Sequence, residues 1–450
     1  MKVCKFGGTS LASADQIKKV CEIVTSDKER RLVVVSAPGK RSKEDIKVTD
    51  LLINCAQKYI DTGAAEEELK AVVARFNDIA NELGLSPEIT KVIEDDLKGR
   101  VSGVVTHEGK VMDCLKAAGE DNSAKLVAEY LKSKGYNAKY INPKDAGLFL
   151  SDEFGNARVL SESFDNLKAL NDMEGILIFP GFFGYSKSGD VVTFPRGGSD
   201  ITGSILAAAV NADVYENFTD VDSVFAANPN LIPDAKAIEE FSYREMRELS
   251  YAGFSVLHEE TLEPVYRKGI PVCIKNTNNP SAPGTMIVKN RNTDTGIIAG
   301  IAGDKGFCNL YISKYMMNRE IGFGRKVLHI LEQQGISYEH VPSGIDNMSV
   351  VLRENQFTKE KEEIICKQIN EELGVDDIEV ERELALVMVV GEGMRHTVGL
   401  AARASNALKN ANINIEMINQ GSSEVSMMFG VKSDDCNSAI KALYSEFFNA

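Results

Sequence analysis

Three short clusters in this chain carry residue types suited to handling anions. Lys5-Phe6-Gly7-Gly8-Thr9-Ser10 sets a cation at the end of an apolar run, followed by a flexible turn bearing hydroxyls. Glycines in such a turn let backbone N–H groups approach phosphate oxygens, and a following helix N-terminus adds partial positive charge. A lysine there can neutralise charge building on a transferred phosphoryl group. The loop is not a Walker A loop, because the required spacing of glycines before a Gly-Lys pair is missing. Arg196-Gly197-Gly198-Ser199-Asp200 is the second cluster. Its guanidinium can grip a carboxylate bidentately, and Asp200 either holds a lysine by charge or caps a helix. Phe218-Thr219-Asp220-Val221-Asp222 is the third. Each cluster alone also reads as an ordinary turn or cap. Together they sit where open α/β sheets bind ligands, at the carboxyl ends of strands.

The elements that must position these loops follow from hydrophobic pattern. Residues 3–6 and 32–35 are short apolar runs of the buried-strand kind, and 12–24 has helical spacing between them. Residues 45–105 read as mainly helical, 122–134 as another helix and 138–141 as a strand. Residues 175–179, 191–194 and 212–217 continue the strand supply, with an Ala-rich helix over 204–210. Alternating strands and helices imply an α/β fold, a parallel-rich sheet sandwiched by helices. Turn formers concentrate at 276–285, where a domain boundary is expected.

Beyond that boundary one pattern occurs twice. Ile336, Glu339, Gly344 and Ser349 recur as Ile413, Glu416, Gly421 and Ser426, a constant offset of 77, and Gly322 and Leu331 match Gly399 and Leu408. Shared hydrophobic phase makes this a duplicated module. Each copy reads strand, helix, strand, strand, helix; the first uses 309–313, 322–334, 336–341, 348–353 and 359–373, with 378–382 as its closing strand. The second opens at 384–390, and its last helix, 436–447, leaves no room for a closing strand. The apolar run 297–301 is expected to supply it, so the first module is inserted within the second. The expected domains are 1–285, 296–384 with the strand at about 296–303 donated to the second module, and 385–450.

Composition bounds the function. The chain has 450 residues, 43% of them hydrophobic, and a net charge of −15. That balance argues against nucleic acid, whose binding relies on clustered Lys and Arg. No secretory signal and no ~20-residue apolar stretch is found, so a cytoplasmic protein without membrane association is expected. The eight cysteines form no CxxC pair and the five histidines no HxxH pair; free thiols and no protein-ligated metal are expected.

Lys5-Phe6-Gly7-Gly8-Thr9-Ser10, Gly119-Glu120, Arg196-Gly197-Gly198-Ser199-Asp200 and Thr219-Asp220-Val221 resemble, in order, the motifs of aspartokinase in the amino-acid kinase superfamily. The repeats are similar to ACT domains, Gln420-Gly421-Ser422-Ser423-Glu424 most of all. The resemblance covers essentially the whole chain and implies an amino-acid kinase fold followed by two βαββαβ ACT-like modules. It implies transfer of the ATP γ-phosphoryl to the side-chain carboxylate of L-aspartate, the first step toward lysine, threonine and methionine. By the same resemblance Lys5 stabilises the transferring group and Gly7, Gly8 and Ser10 cradle phosphates. Asp200 orients Lys5, Arg196 clamps the substrate α-carboxylate with Gly197, Gly198 and Ser199 beside it, and Glu120 pairs with the α-ammonium. Thr49 contacts aspartate, Ser36 phosphate, and Thr219, Asp220 and Phe225 line the nucleotide site. Mg²⁺ would ride on the phosphates.

The chain departs from the family pattern at Asn230, where Arg is usual after Asp-Pro, and at Ser255, where a Lys precedes Val-Leu-His; Glu259 replaces a Pro after His258. Lys268 and Lys275 are candidates to compensate. The ACT likeness implies feedback inhibition and a homodimer or larger homo-oligomer. Its effector would be lysine, with threonine as the competitor, held by Met317, Gly322, Phe323, Ser343, Gly344 and Asp346; Asp346 and Glu320 are the candidate partners of an effector ammonium. A kinase of another acidic amino acid and a non-catalytic amino-acid sensor stand as the rival readings.

Overall fold

The structure is a computed structural model and describes residues 1–102, 105, 107–195, 197–254, 259–293 and 296–449. It divides into two compact units, the first made of Met1–Val224, Ala237–Met246 and a segment ending at Arg291. Its strands are β1 (Lys2–Phe6), β2 (Arg30–Val35), β3 (Ala138–Tyr140), β4 (Ile176–Pro180), β5 (Phe183–Tyr185), β6 (Val191–Thr193), β7 (Val214–Thr219), the two-residue β8 (Val224–Phe225) and β9 (Ala237–Ile238), β10 (Glu240–Ser242), β11 (Val272–Asn276) and β12 (Thr285–Val288). Its helices are α1 (Ala14–Thr25), α2 (Val48–Thr62), α3 (Glu66–Glu82), α4 (Pro87–Arg100), α5 (Glu108–Ser133), α6 (Ser161–Leu167), α7 (Gly198–Val210), α8 (Tyr243–Tyr251) and α9 (Glu263–Lys268). Phe225 and the residues of α8 from Arg247 are counted with the second unit.

Eight strands form one sheet in the order β10-β12-β11-β7-β1-β2-β4-β3. Every pairing is parallel except β11 with β12. Alternation along the central strands assigns the two faces. Cys4, Phe6, Val33, Val35 and Phe218 join the core beneath α1–α5. Lys5 and its register partner Asn217 therefore project to the other face, where α7 packs on β1, β2 and β7.

Three expectations shift in the first unit. Residues 191–194 do not enter the main sheet; β6 pairs antiparallel with β5 as a separate hairpin. The helix expected from 122 begins at Glu108, and Gly119 lies inside it. A Cβ at Gly119 would stand 2.7 Å from the Ala37 Cβ, so this glycine is a close-packing position rather than a turn. Third, α7 starts at Gly198 behind Gly197, which is left-handed at φ 82°, so Ser199 and Asp200 occupy its first turn. The turn-rich stretch 276–285 connects the antiparallel β11 and β12, and the first unit runs on to Arg291, whose guanidinium pairs with the fully buried Glu245 at 2.9 Å.

The second unit comprises Phe225–Lys236, Arg247–Phe254 and the residues from Asn292 onward. Its strands β13 (Gly300–Ser313), β14 (Asn347–Arg353), β15 (Asp377–Val390), β16 (Met417–Asn419) and β17 (Ser426–Lys432) form one antiparallel sheet in the order β14-β13-β15-β17-β16. Its helices are α10 (Phe323–Gln333), α11 (Lys359–Leu373), α12 (Leu400–Asn410) and α13 (Cys436–Phe448). The two long strands each serve both copies of the repeat. Residues 300–305 of β13 pair with 385–390 of β15, while 309–313 pair with 377–381 across an irregularity at Phe307. The offset of 77 carries α10 onto α12 residue for residue, each behind a left-handed glycine, Gly322 at φ 78° and Gly399 at φ 89°. The strand expected at 336–341 is reduced to isolated bridges of His340 with Val351 and Ser343 with Met348. Pro342 between them has no N–H to extend the ladder. No helix among the described residues is long and apolar enough to cross a membrane.

Candidate functional site

Because β1, β2, β4, β7 and β11 run parallel, their carboxyl ends bring the segments after Phe6, Val35, Pro180, Thr219 and Asn276 to one edge of the sheet. At that edge Lys5, a residue only 7% exposed, sets its ammonium 2.5 Å from Asp200 Oδ1. Asn217 Nδ2 donates to the same oxygen at 2.7 Å. A Cβ on Gly7 would lie 3.6 Å from the Lys5 nitrogen. Gly8 and Gly39 meet backbone to backbone: Gly39 N donates to Gly8 O at 2.8 Å, and a Cβ on Gly39 would come within 2.7 Å of Gly8. Phe6 and Phe218 stack beneath these loops with centroids 4.7 Å apart.

Glu120 projects from α5 and is almost wholly buried. Burial pushes its carboxyl up to about 8, against the lowering effects of the Ala37 backbone amide that hydrogen-bonds it and of the Lys5 charge. Its Oε2 has no hydrogen-bond partner. A buried acceptor left open in this way is completed by an incoming donor, and a cationic one would hold the carboxylate ionised. Gly119 is what lets α5 bring Glu120 against Ala37.

The other expected residues divide. Ser199 is buried, and Gly181 after β4 has no room for a Cβ, which would meet Ser199 at 2.7 Å. Ser36 and Thr49 are half-buried, at the end of β2 and in the first turn of α2. Thr219 closes β7, its carbonyl accepting from Thr277 N at 2.9 Å, and Asp220 is exposed beyond it. Ser10 differs from expectation. It is buried, and its hydroxyl meets the Thr277 hydroxyl at 2.7 Å, tying two loops together rather than facing outward. Lys275 is likewise engaged, its ammonium donating to the Ala282 carbonyl at 3.2 Å. Phe225 falls in the second unit. Arg196 and Ser255, with His258, lie outside the described residues.

Sequence reasoning missed Asn217, Gly39, Thr277 and Phe182. Phe182 holds a left-handed φ of 75°, with its N–H donating to Thr202 Oγ1 at 3.0 Å and its carbonyl accepting from Phe194 N at 2.9 Å. Strain of this kind persists only where surrounding structure enforces it. The available signal was polar Glu216-Asn217 inside an apolar strand. Glu216 turns to the opposite face and pairs with Arg30 at 2.7 Å, leaving Asn217 on the Lys5 face.

In the second unit, Met317 and Phe323 are buried, Gly322 caps α10, and Ser343 bridges to Met348. Gly344 N donates to Asn347 O at 2.8 Å, and Asp346 Oδ1 accepts from Met316 N at 2.8 Å. Glu320 is held by Lys314 at 2.6 Å and Lys326 at 2.7 Å, whose hydrogen bonds lower its pKa.

A buried ammonium paired with a half-buried carboxylate beside glycine loops, with an open buried carboxylate nearby, suits a ligand carrying both phosphate and ammonium charge. Comparison with known proteins agrees. Residues 1–276 match the amino acid kinase family and 387–447 an ACT domain. Aspartokinase 3 of Bacillus subtilis is 59% identical over 448 residues, covering 100% of this chain and 99% of that protein. The crystal structure of Clostridium acetobutylicum aspartate kinase superposes with a TM-score of 0.85 at 38% identity, covering 99% of both chains. Escherichia coli aspartokinase III, solved with lysine and aspartate and separately with aspartate and ADP, gives TM-scores of 0.78 and 0.79 at 27% identity, covering 100% of this chain and 99% and 100% of those chains. The chain belongs to the aspartokinases, within the amino acid kinase family.

Proposed function

We propose that this aspartokinase performs its reaction, transfer of the γ-phosphoryl of ATP to L-aspartate giving 4-phospho-L-aspartate, at the edge where Lys5, Asp200 and Glu120 gather. The observation that carries this reading is the open, buried Glu120 carboxylate beside the Lys5–Asp200 pair. A zwitterionic substrate needs one fixed anion and one fixed cation; Glu120 takes the α-ammonium, and Arg196, with Gly197, Gly198 and Ser199 next in sequence, takes the α-carboxylate. Thr49 and Ser36 lie toward the substrate and the transferred phosphate. Gly7 and Gly8 admit the phosphates to backbone N–H groups, and Lys5 neutralises charge on the moving phosphoryl. The attacking carboxylate is already ionised at neutral pH, so no general base is needed, and catalysis reduces to positioning and charge neutralisation. Thr219 and Asp220 border the nucleotide.

Among the described residues no three His, Cys, Asp or Glu side chains cluster as a metal cage. Mg²⁺ would accompany the nucleotide phosphates and supply charge neutralisation there. For regulation, the domains are read as a catalytic 1–285, a first ACT module over 296–384 and a second over 385–450, assembling as a homodimer or larger homo-oligomer in the cytoplasm. Lysine is the proposed effector, bound by the Met317–Asp346 region. The lysine complex of the E. coli relative supports this choice.

The test is ATP-dependent phosphorylation trapped with hydroxylamine, on aspartate and on glutamate, with and without lysine. Turnover on aspartate alone, suppressed by lysine, is expected. Lys5→Ala should abolish most turnover, and Arg196→Ala should chiefly raise the aspartate KM. Suppression by threonine but not lysine would overturn the effector assignment.

A further inference from the structure

We propose that Asn217 is a positioning residue for phosphoryl transfer, acting through Asp200. The proposal rests on the reading of Lys5 and Asp200 above and deepens it. Strand β7 grips Asp200 at two points. The Tyr215 hydroxyl donates to the Asp200 main-chain carbonyl at 3.2 Å, and Asn217 Nδ2 donates to its side-chain Oδ1 at 2.7 Å. Residues two apart on a strand share a face, so both reach α7. Gly203 makes the approach possible: a Cβ there would stand 2.5 Å from the Tyr215 hydroxyl.

Asn217 is fully buried and its own Oδ1 has no partner. Leaving a buried carbonyl unpaired is costly, so a position serving packing alone would be better filled by an apolar side chain. The carboxamide orientation is dictated by chemistry, because only the NH₂ end can face a carboxylate. Lys5 and Asn217 thus share one oxygen, at 2.5 and 2.7 Å. Two consequences follow. Asp200 keeps its rotamer without relying on Lys5, so the ammonium can lean toward a phosphoryl oxygen while its counter-charge stays in place. The amide also takes part of the charge on Oδ1, which loosens the hold on Lys5.

A double-mutant cycle on the full-length protein tests this, with Asn217→Val, Asp200→Asn and both together. Steady-state kcat, both KM values and thermal unfolding are read for each. Asn217→Val should lower kcat about tenfold or more, with the ATP KM within about twofold of the parent. In the Asp200→Asn background the same substitution should change kcat by less than about twofold, since the partner charge is gone. Where Asn217→Val does not fold, Asn217→Ser replaces it and must show the same non-additivity. Equal losses in both backgrounds would reveal a packing role and overturn the proposal, as would an unchanged kcat. If Asp200→Asn lowers kcat and Asn217→Val does not, only this inference fails. If Asp200→Asn itself leaves kcat intact, the reading of the Lys5–Asp200 pair fails first.

Discussion

Glu120 makes the site sensitive to pH in a way that can be worked out from its surroundings. Burial raises its carboxyl from an ordinary 4.5 to about 8 in the ligand-free protein. At pH 7 roughly one molecule in ten then carries the charge that a substrate ammonium requires. The apparent affinity for aspartate is reduced by that fraction, so kcat/KM for aspartate should rise about tenfold between pH 7 and pH 9. The same proton affects folding. The unfolded chain releases it near 4.5 and the folded protein near 8, so the folded state binds more protons between these values. The stability that Glu120 contributes is therefore complete below 4.5 and lost as pH rises toward 8, by about 5 kcal/mol at ~1.4 kcal/mol per unit. The assay is kcat/KM for aspartate at saturating ATP from pH 6 to 9, alongside thermal unfolding, for the parent and Glu120→Gln. The substitution should remove the pH limb, and its melting temperature should gain on the parent as pH rises. A flat parent profile between pH 6.5 and 8.5, or a limb that survives in Glu120→Gln, would refute the assignment of the substrate ammonium to Glu120.

Ser10→Ala should destabilise the protein by about 1–3 kcal/mol, because it leaves the buried Thr277 hydroxyl without its partner. The ATP KM should stay within about twofold, since a hydroxyl worth about 1 kcal/mol spent on Thr277 is not spent on phosphate; a large rise in KM without loss of stability would return Ser10 to the phosphate cradle. Gly119→Ala must displace Ala37 or Leu52, which a new Cβ would meet at 2.7 and 3.2 Å. A cost of about 1–3 kcal/mol in urea unfolding, with a weakened aspartate KM, is expected; an unchanged KM would separate the close packing from the placement of Glu120. Asp346→Ala should raise the lysine concentration for half-inhibition at least about fivefold while leaving uninhibited kcat unaltered, and unaltered inhibition would remove Asp346 from the effector site.

The candidate loops stand out in the sequence because their glycines and charges are local requirements. A turn that approaches phosphate needs glycine wherever it occurs, and Gly7, Gly8, Gly197 and Gly198 stand close to the residues they serve. The parallel sheet was legible for a similar reason. Strands buried on both faces are continuously apolar, as residues 32–35 are. Repetition exposed the duplicated module, and the identical spans of α10 and α12 come from that repeat.

Tertiary structure decided what depends on residues distant in the chain. Helix α5 starts at Glu108, where the His107 side chain caps it, and runs on through Gly119, which serves as a packing position against Ala37, a contact no local pattern announces. Ser10 turned inward because Thr277, 267 residues away, lies beside it. Asn217 meets Asp200 only because β7 is set next to β1 and α7 is laid across both. Sequence determines which groups are present and how the backbone bends near them. Which of them share an oxygen or lie buried without a partner is set by strand register and helix approach, and those are properties of the assembled core.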